Sequence, residues 1–229
     1  MTARAAGPNG VASPGWRGCR QDVGARLMAA PVPVRPTLAP SPYLAQSLYR
    51  LTVRQFETMI AEGTIGEAER VELIEGLLVA RSRRNRADIV AGNKGLRILW
   101  RMIPPGWHVA KGVPIVVSDW SRPEPDLAVI RGVVDDYDER DATADDTALV
   151  VEIAGAGLPA DRTDMARVYA SAGIPVYWIV NLADGQVEIF SEPRRDGYHS
   201  HQVLSRGQDV PVVVAGVEAA WIAVADLLP

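Results

Sequence analysis

Thr147-Ala-Leu-Val-Val-Glu-Ile153 carries one carboxylate in an otherwise apolar run that opens on a threonine. That is the pattern of a strand buried on both faces. A second run of this kind, Val176-Tyr-Trp-Ile-Val180, follows a Gly-rich loop at residues 154–160 and a helix expected over about residues 161–172. Gly173 and Pro175 stop that helix, because glycine accepts the left-handed cap and proline cannot continue the turn. Buried strands interrupted by helices predict an α/β chain of the α+β kind, a central mixed sheet with helices packed on it.

The flanking segments agree. Thr52-Val-Arg-Gln55 is a capping box that opens a helix, which Gly63 and Gly66 close. Residues 70–79 form a hairpin turning at Glu75-Gly76. Ile89, Val90, Leu96, Leu99, Met102 and Ile103 fall mostly at helical spacing, so a helix is expected over 87–103, ended by Pro104-Pro105-Gly106. Strands are expected at 107–111, 113–117 and 126–130, then an acidic loop at 135–146. Downstream, Ala183-Asp-Gly185 turns the chain into a strand at 186–190, and an apolar stretch runs over 210–224.

Composition excludes several function classes. Of 229 residues, 48% are hydrophobic and 23% charged, which is not the balance of a disordered chain. No uncharged apolar run reaches the roughly 18 residues of a membrane span. The single cysteine, Cys19, cannot pair internally, which points to the cytoplasm. The net charge of −4 argues against a protein that coats nucleic acid with basic surface. Residues 1–45, rich in Ala, Pro, Gly and Arg, are expected to be a disordered extension to a domain spanning 46–229.

The chemistry starts from Glu152. A lone carboxylate in a buried strand costs several kcal/mol to desolvate unless something pairs with it. A metal ion is one partner and an arginine is another; spacing leaves both open. Asp126 opens a strand in Pro123-Glu-Pro-Asp-Leu-Ala-Val-Ile130, Asp161 starts the helix after Glu152, and Glu72 lies in the hairpin. Acids on neighbouring strands offer the hard oxygen donors that Mg²⁺ takes. His199 and His201 alternate on a strand but have no Cys or third His beside them, so they read as a surface pair rather than a zinc site. Neither a P-loop nor a Gly-x-Ser-x-Gly elbow occurs.

Four segments together carry a resemblance: Arg70-Val-Glu-Leu-Ile-Glu-Gly76, Pro123-Glu-Pro-Asp-Leu-Ala-Val129, Leu149-Val-Val-Glu-Ile153 and Tyr169-Ala-Ser-Ala-Gly-Ile-Pro-Val-Tyr-Trp-Ile-Val180. In order and spacing the chain resembles the bacterial restriction-endonuclease-like family of the PD-(D/E)XK nuclease superfamily. The resemblance implies a restriction-endonuclease-like core and hydrolysis of DNA phosphodiester bonds with Mg²⁺ or Mn²⁺. It implies that Asp126 and Glu152 are metal ligands, that Glu72 completes the site, and that the Ile153 carbonyl could add an oxygen.

The chain departs from the family in more than one place. A lysine common on the helix after the glutamate strand is replaced here by Met165, in Asp161-Arg-Thr-Asp-Met165, and a histidine often found before the second helix is absent around residues 85–88. Only two lysines occur, Lys94 and Lys111. Three readings stay open: Arg162 supplies the positive charge, Lys111 reaches in from a neighbouring strand, or the site is degenerate and only binds. Losing one charge stabiliser costs about 10²–10³ in rate, so an impaired endonuclease is expected. From residue 81 to 111, eight basic residues (Arg81, Arg83, Arg84, Arg86, Lys94, Arg97, Arg101 and Lys111) face one acid, Asp88, a segment that could track DNA phosphates. Rival readings are an inactive nuclease fold that binds DNA or a protein, and a structural or oligomerising protein, for example a homodimer joined through residues 210–224.

Overall fold

The computed structural model describes residues 48–66, 69–81, 83–155 and 158–229. The extension expected at residues 1–45 lies outside them. In chain order the elements are helix α1 (Val53–Ala61), strands β1 (Val71–Ile74) and β2 (Leu77–Ala80), helix α2 (Arg86–Met102), and strands β3 (Trp107–Ala110), β4 (Ile115–Val116), β5 (Leu127–Arg131), β6 (Ala142–Thr143) and β7 (Thr147–Ala154). A helical stretch over 158–171 follows, ending in α3 (Ala166–Ser171). Strands β8 (Val176–Asn181), β9 (Gln186–Arg194), β10 (Gly197–Ser205), β11 (Asp209–Val214) and β12 (Val217–Ala223) lead to a last turn, α4 (Val224–Leu227).

Local sequence explains most boundaries. Thr52 Oγ1 accepts from the Gln55 amide at 3.2 Å while Gln55 Oε1 accepts from the Thr52 amide at 2.9 Å, a reciprocal cap for α1. Asn85 and Asp88 build the same device for α2: Asn85 Oδ1 accepts from the Ala87 amide at 2.7 Å, and Asp88 Oδ2 from the Asn85 amide at 2.8 Å. The β1–β2 turn places Glu75 at φ 49° and Gly76 at φ 78°, the left-handed pair of a two-residue hairpin turn. A side chain at Gly76 would also press on the backbone and Cβ of Arg50. Within α2, a Cβ at Gly95 would stand 2.8 Å from Leu127 Cδ1, so this glycine lets the helix lie close to the sheet.

Six strands form the central sheet in the order β10-β9-β8-β7-β5-β3. Only β7 and β8 are parallel; the other neighbours are antiparallel. The 158–171 helical stretch supplies the crossover that a parallel pair needs. On one face, Leu127, Val129, Leu149, Val151 and Trp178 pack with Leu99 of α2, with Val210, Val212 and Ile222 of the β11–β12 hairpin, and with Leu227 of α4. On the other, Ala128, Val150, Ala154, Tyr177, Ile179 and Phe190 pack with Ala166, Val168 and Tyr169 of α3. Val210, Val212, Val214 and Val224 of the 210–224 stretch are thus consumed in the molecule's own core, which leaves Val217 and Trp221 outward as its large apolar side chains.

Two expectations are corrected. The strand expected at 113–117 shrinks to Ile115–Val116, which leaves the main sheet to pair in parallel with β6, because Ile115 and Val117 donate their amides to Pro123 and Ser121 instead. The helix expected at 161–172 begins earlier and passes through a π-helical turn at Asp161–Met165. Such turns mark positions where side chains must be rotated away from regular helical spacing.

Candidate functional site

Strand register brings the acids together. Leu127 pairs with Val151 in the antiparallel β5–β7 ladder, so one step further Asp126 stands opposite Glu152. Directly opposed residues in an antiparallel pair project from the same face. That face is the one covered by the 158–171 stretch, since Val150 and Ala154 pack into the same side as Tyr169. Both carboxylates, with Glu72, Asp161 and Met165, line a cleft of about 510 Å³. Its rim includes Arg70, Arg83, Arg84 and Arg167.

Each acid has defined partners. Asp126 Oδ2 accepts from the Ile153 amide at 2.7 Å, and its Oδ1 contacts the Arg84 guanidinium and lies 3.8 Å from Arg81 Nη2. Glu72 Oε2 accepts from the Glu124 amide at 2.9 Å, and its Oε1 lies 3.8 Å from Arg81 Nε. Glu152 Oε1 accepts from the Tyr169 hydroxyl at 2.9 Å. Arg81, half-buried, thus lies among Glu72, Glu124 and Asp126, and reaches Glu124 Oε2 at 3.1 Å.

Positive charge is too scarce here for every acid to ionise easily. Burial, and then the neighbouring Asp126, push the Glu152 carboxyl well above the usual carboxylate range. Asp161 is pushed up to about 7 by burial, then by Asp126 and Glu72, against the pull of Arg81. Glu72 is raised by burial too, and Arg81 and the Glu124 amide offset part of that. Like charges held together at low dielectric raise one another's pKa in this way, and clustering of such groups in a cleft is a mark of functional sites.

The structure separates other expected members from this group. Arg162 donates to Glu188, with Nε 2.9 and 3.1 Å from the two carboxylate oxygens, and it does not line the cleft. The π-helical turn at Asp161–Met165 is where the two neighbours part, Asp161 lining the cleft and Arg162 reaching β9. Lys111 donates to Asn93 on α2 and approaches Gly92, on the far side of the sheet from Asp126. Of the basic segment, Arg81 and Arg84 serve acids and Lys94 donates to the Leu228 carbonyl at 2.6 Å, while Arg83, Arg86, Arg97 and Arg101 are exposed. Met165 lines the cleft where the family lysine is expected.

Tyr169, Glu124 and Glu188 were not singled out by the sequence reading. Tyr169 and Glu188 are fully buried polar groups, and the only sign of Glu188 in the sequence is that it is the one carboxylate in the strand expected at 186–190. Hydrogen bonds from Arg162 and Asn181 hold Glu188 below the usual range although its burial works the other way.

Among the described residues, no three Asp, Glu, His or Cys side chains converge as ready-made ligands of one metal ion. The donor set still suits a hard divalent cation: carboxylate oxygens from two adjacent strands, under-neutralised, in an open cleft. The family model described as "Putative restriction endonuclease", Uma2, matches residues 53–225. The chain belongs to the Uma2 family. The match takes in both strands of the acid pair, the β1–β2 hairpin and the helical stretch that covers them. Among solved structures, the Uma2 chain is similar to a "putative nuclease belonging to DUF820" from Anabaena variabilis, with a TM-score of 0.58 and 14% identity over 77% of this chain and 97% of that one. At that identity the likeness speaks for the fold, a nuclease-type mixed sheet flanked by helices. No curated protein matches the Uma2 chain. No helix among its described residues is long and apolar enough to cross a membrane.

Proposed function

We propose that this chain is a cytoplasmic nuclease that hydrolyses DNA phosphodiester bonds with Mg²⁺ or Mn²⁺. The observation that carries the reading is the Asp126–Glu152 pair on one face of the sheet, open to a cleft and short of positive charge. Asp126 and Glu152 would hold the cation, with Glu72 and Asp161 beside them. A cation bound there would polarise the phosphoryl oxygen and promote ionisation of water.

The chain's own groups supply the rest. The Ile153 amide orients Asp126, and the Tyr169 hydroxyl orients Glu152. Arg81 fixes Glu72 against the hairpin. Arg83 and Arg167 at the rim offer donors for phosphate oxygens. Met165 brings no charge to the transition state, which supports an impaired rate and gives the inactive binding protein its footing as a second reading. The test is plasmid relaxation in Mg²⁺ or Mn²⁺ beside an Asp126→Ala control. Nicking that needs metal and is lost in the control is expected; equal nicking in both proteins overturns the reading.

A further inference from the structure

Arg84 and Arg81 both approach Asp126, but they are held very differently. Arg81 is only 12% exposed and is shared among Glu72, Glu124 and Asp126. Arg84 is 27% exposed and has one acid, Asp126. Its Nη2 is buried against that acid yet makes no well-formed hydrogen bond among the described residues. Residues 83–85, which carry Arg84 ahead of α2, belong to no helix or strand, so turning its side chain breaks no ladder or helix bond. Arg84 also lines the cleft, as Arg70, Arg83 and Arg167 do.

A monovalent guanidinium on Asp126 stands where a divalent cation would have to sit. The two cannot share the same oxygen closely, because like charges at contact repel. From these contacts we infer that Arg84 is an exchangeable counter-ion: it neutralises Asp126 in the metal-free protein, and a cation on Asp126 and Glu152 displaces it toward the cleft, where its fork of donors meets a phosphate oxygen of the substrate. Arg84 is thereby the charged group that stands in for the missing lysine, in place of Arg162 and Lys111, both engaged elsewhere. Planar guanidinium donors match phosphate oxygens in pairs, so the displaced side chain has a partner ready. This inference rests on the nuclease reading above.

The test uses Mn²⁺ alone, with binding followed by loss of the free-ion electron paramagnetic resonance signal. Arg84→Gln removes the competitor and is expected to bind Mn²⁺ about three- to tenfold more tightly than the wild type, the scale of a partly exposed ion pair. Arg84→Lys keeps the charge and stays near the wild type, while Asp126→Asn loses binding. A second measurement uses a short fluorescent DNA duplex in Ca²⁺ or in chelator. Wild type gains affinity with Ca²⁺, and Arg84→Gln loses most of that gain. Thermal melts of each variant establish folding before titration. If wild type binds Mn²⁺, Asp126→Asn does not, and Arg84→Gln matches wild type, the exchange is overturned and the metal site stands. If neither wild type nor Arg84→Gln binds Mn²⁺, the metal site and the exchange fall together.

Discussion

The amide of Ile153 donates to Asp126 Oδ2 at 2.7 Å, so the residue after Glu152 holds the side chain that stands opposite Glu152. One acid is thereby positioned by the backbone of the strand that carries the other. Asp126 also has two guanidiniums at its second oxygen. Asp126→Asn keeps an acceptor for the Ile153 amide but strips Arg81 and Arg84 of an anion, so unfolding in denaturant should show a loss of about 1–3 kcal/mol. Asp126→Ala should cost more, because the amide of Ile153 then loses its partner as well. Equal stability of all three proteins would mean that these contacts do not form in solution.

Met165→Lys tests the empty charge position. With an ammonium at the cleft wall beside Glu152 and Asp161, metal-dependent nicking should rise by about 10²–10³. An unchanged rate at saturating metal would place the missing charge elsewhere.

Stability should fall as pH rises from about 4 to about 7. Asp161 binds its proton up to about pH 7 in the folded chain, against 3.8 for an ordinary aspartate. Between those values the folded state holds more protons than the unfolded state, so raising the pH destabilises it, and the loss is complete once pH exceeds the folded value. Asp161→Asn removes its share of the dependence and leaves that of Glu152 and Glu72: its melting temperature should exceed that of the wild type at pH 8 and approach it near pH 4. Each kcal/mol corresponds to about 2–4 °C in a chain of this size. A wild-type melting curve flat from pH 4 to pH 8 would contradict the burial of Asp161.

Arg162 anchors the buried Glu188 of β9 together with Asn181 and His201. Arg162→Ala takes from the buried Glu188 its arginine partner, so a lower melting temperature than that of the wild type is expected. Metal-dependent activity per folded molecule should stay unchanged. A selective fall in turnover with intact stability would return Arg162 to the chemistry.

DNA binding in chelator should depend on salt through the exposed arginines. Replacing Arg83 and Arg86 together by Gln should flatten the slope of log K against log salt by about 1–2. Replacing Lys94, which is tied to the Leu228 carbonyl, should leave the slope alone and lower stability instead.

Much of the molecule was legible in residue order because its signals are local. The capping box at Thr52, the Glu75-Gly76 turn and the all-apolar strands depend on neighbours within a few positions. The family motifs, too, pointed to Asp126, Glu152 and Glu72, and the structure gathers these on one cleft. What residue order left open was which cation serves which anion. Arg162 and Asp161 are adjacent in sequence, yet one reaches β9 and the other the cleft, because consecutive residues of a helix project roughly a quarter turn apart. Arg81 and Arg84 read as part of a phosphate-tracking run and are instead folded onto acids of other elements, Arg84 onto Asp126 and Arg81 onto Glu72, Glu124 and Asp126. Ion pairing is decided by distance and dielectric in three dimensions, and the sheet register that sets both exists only once the strands have paired.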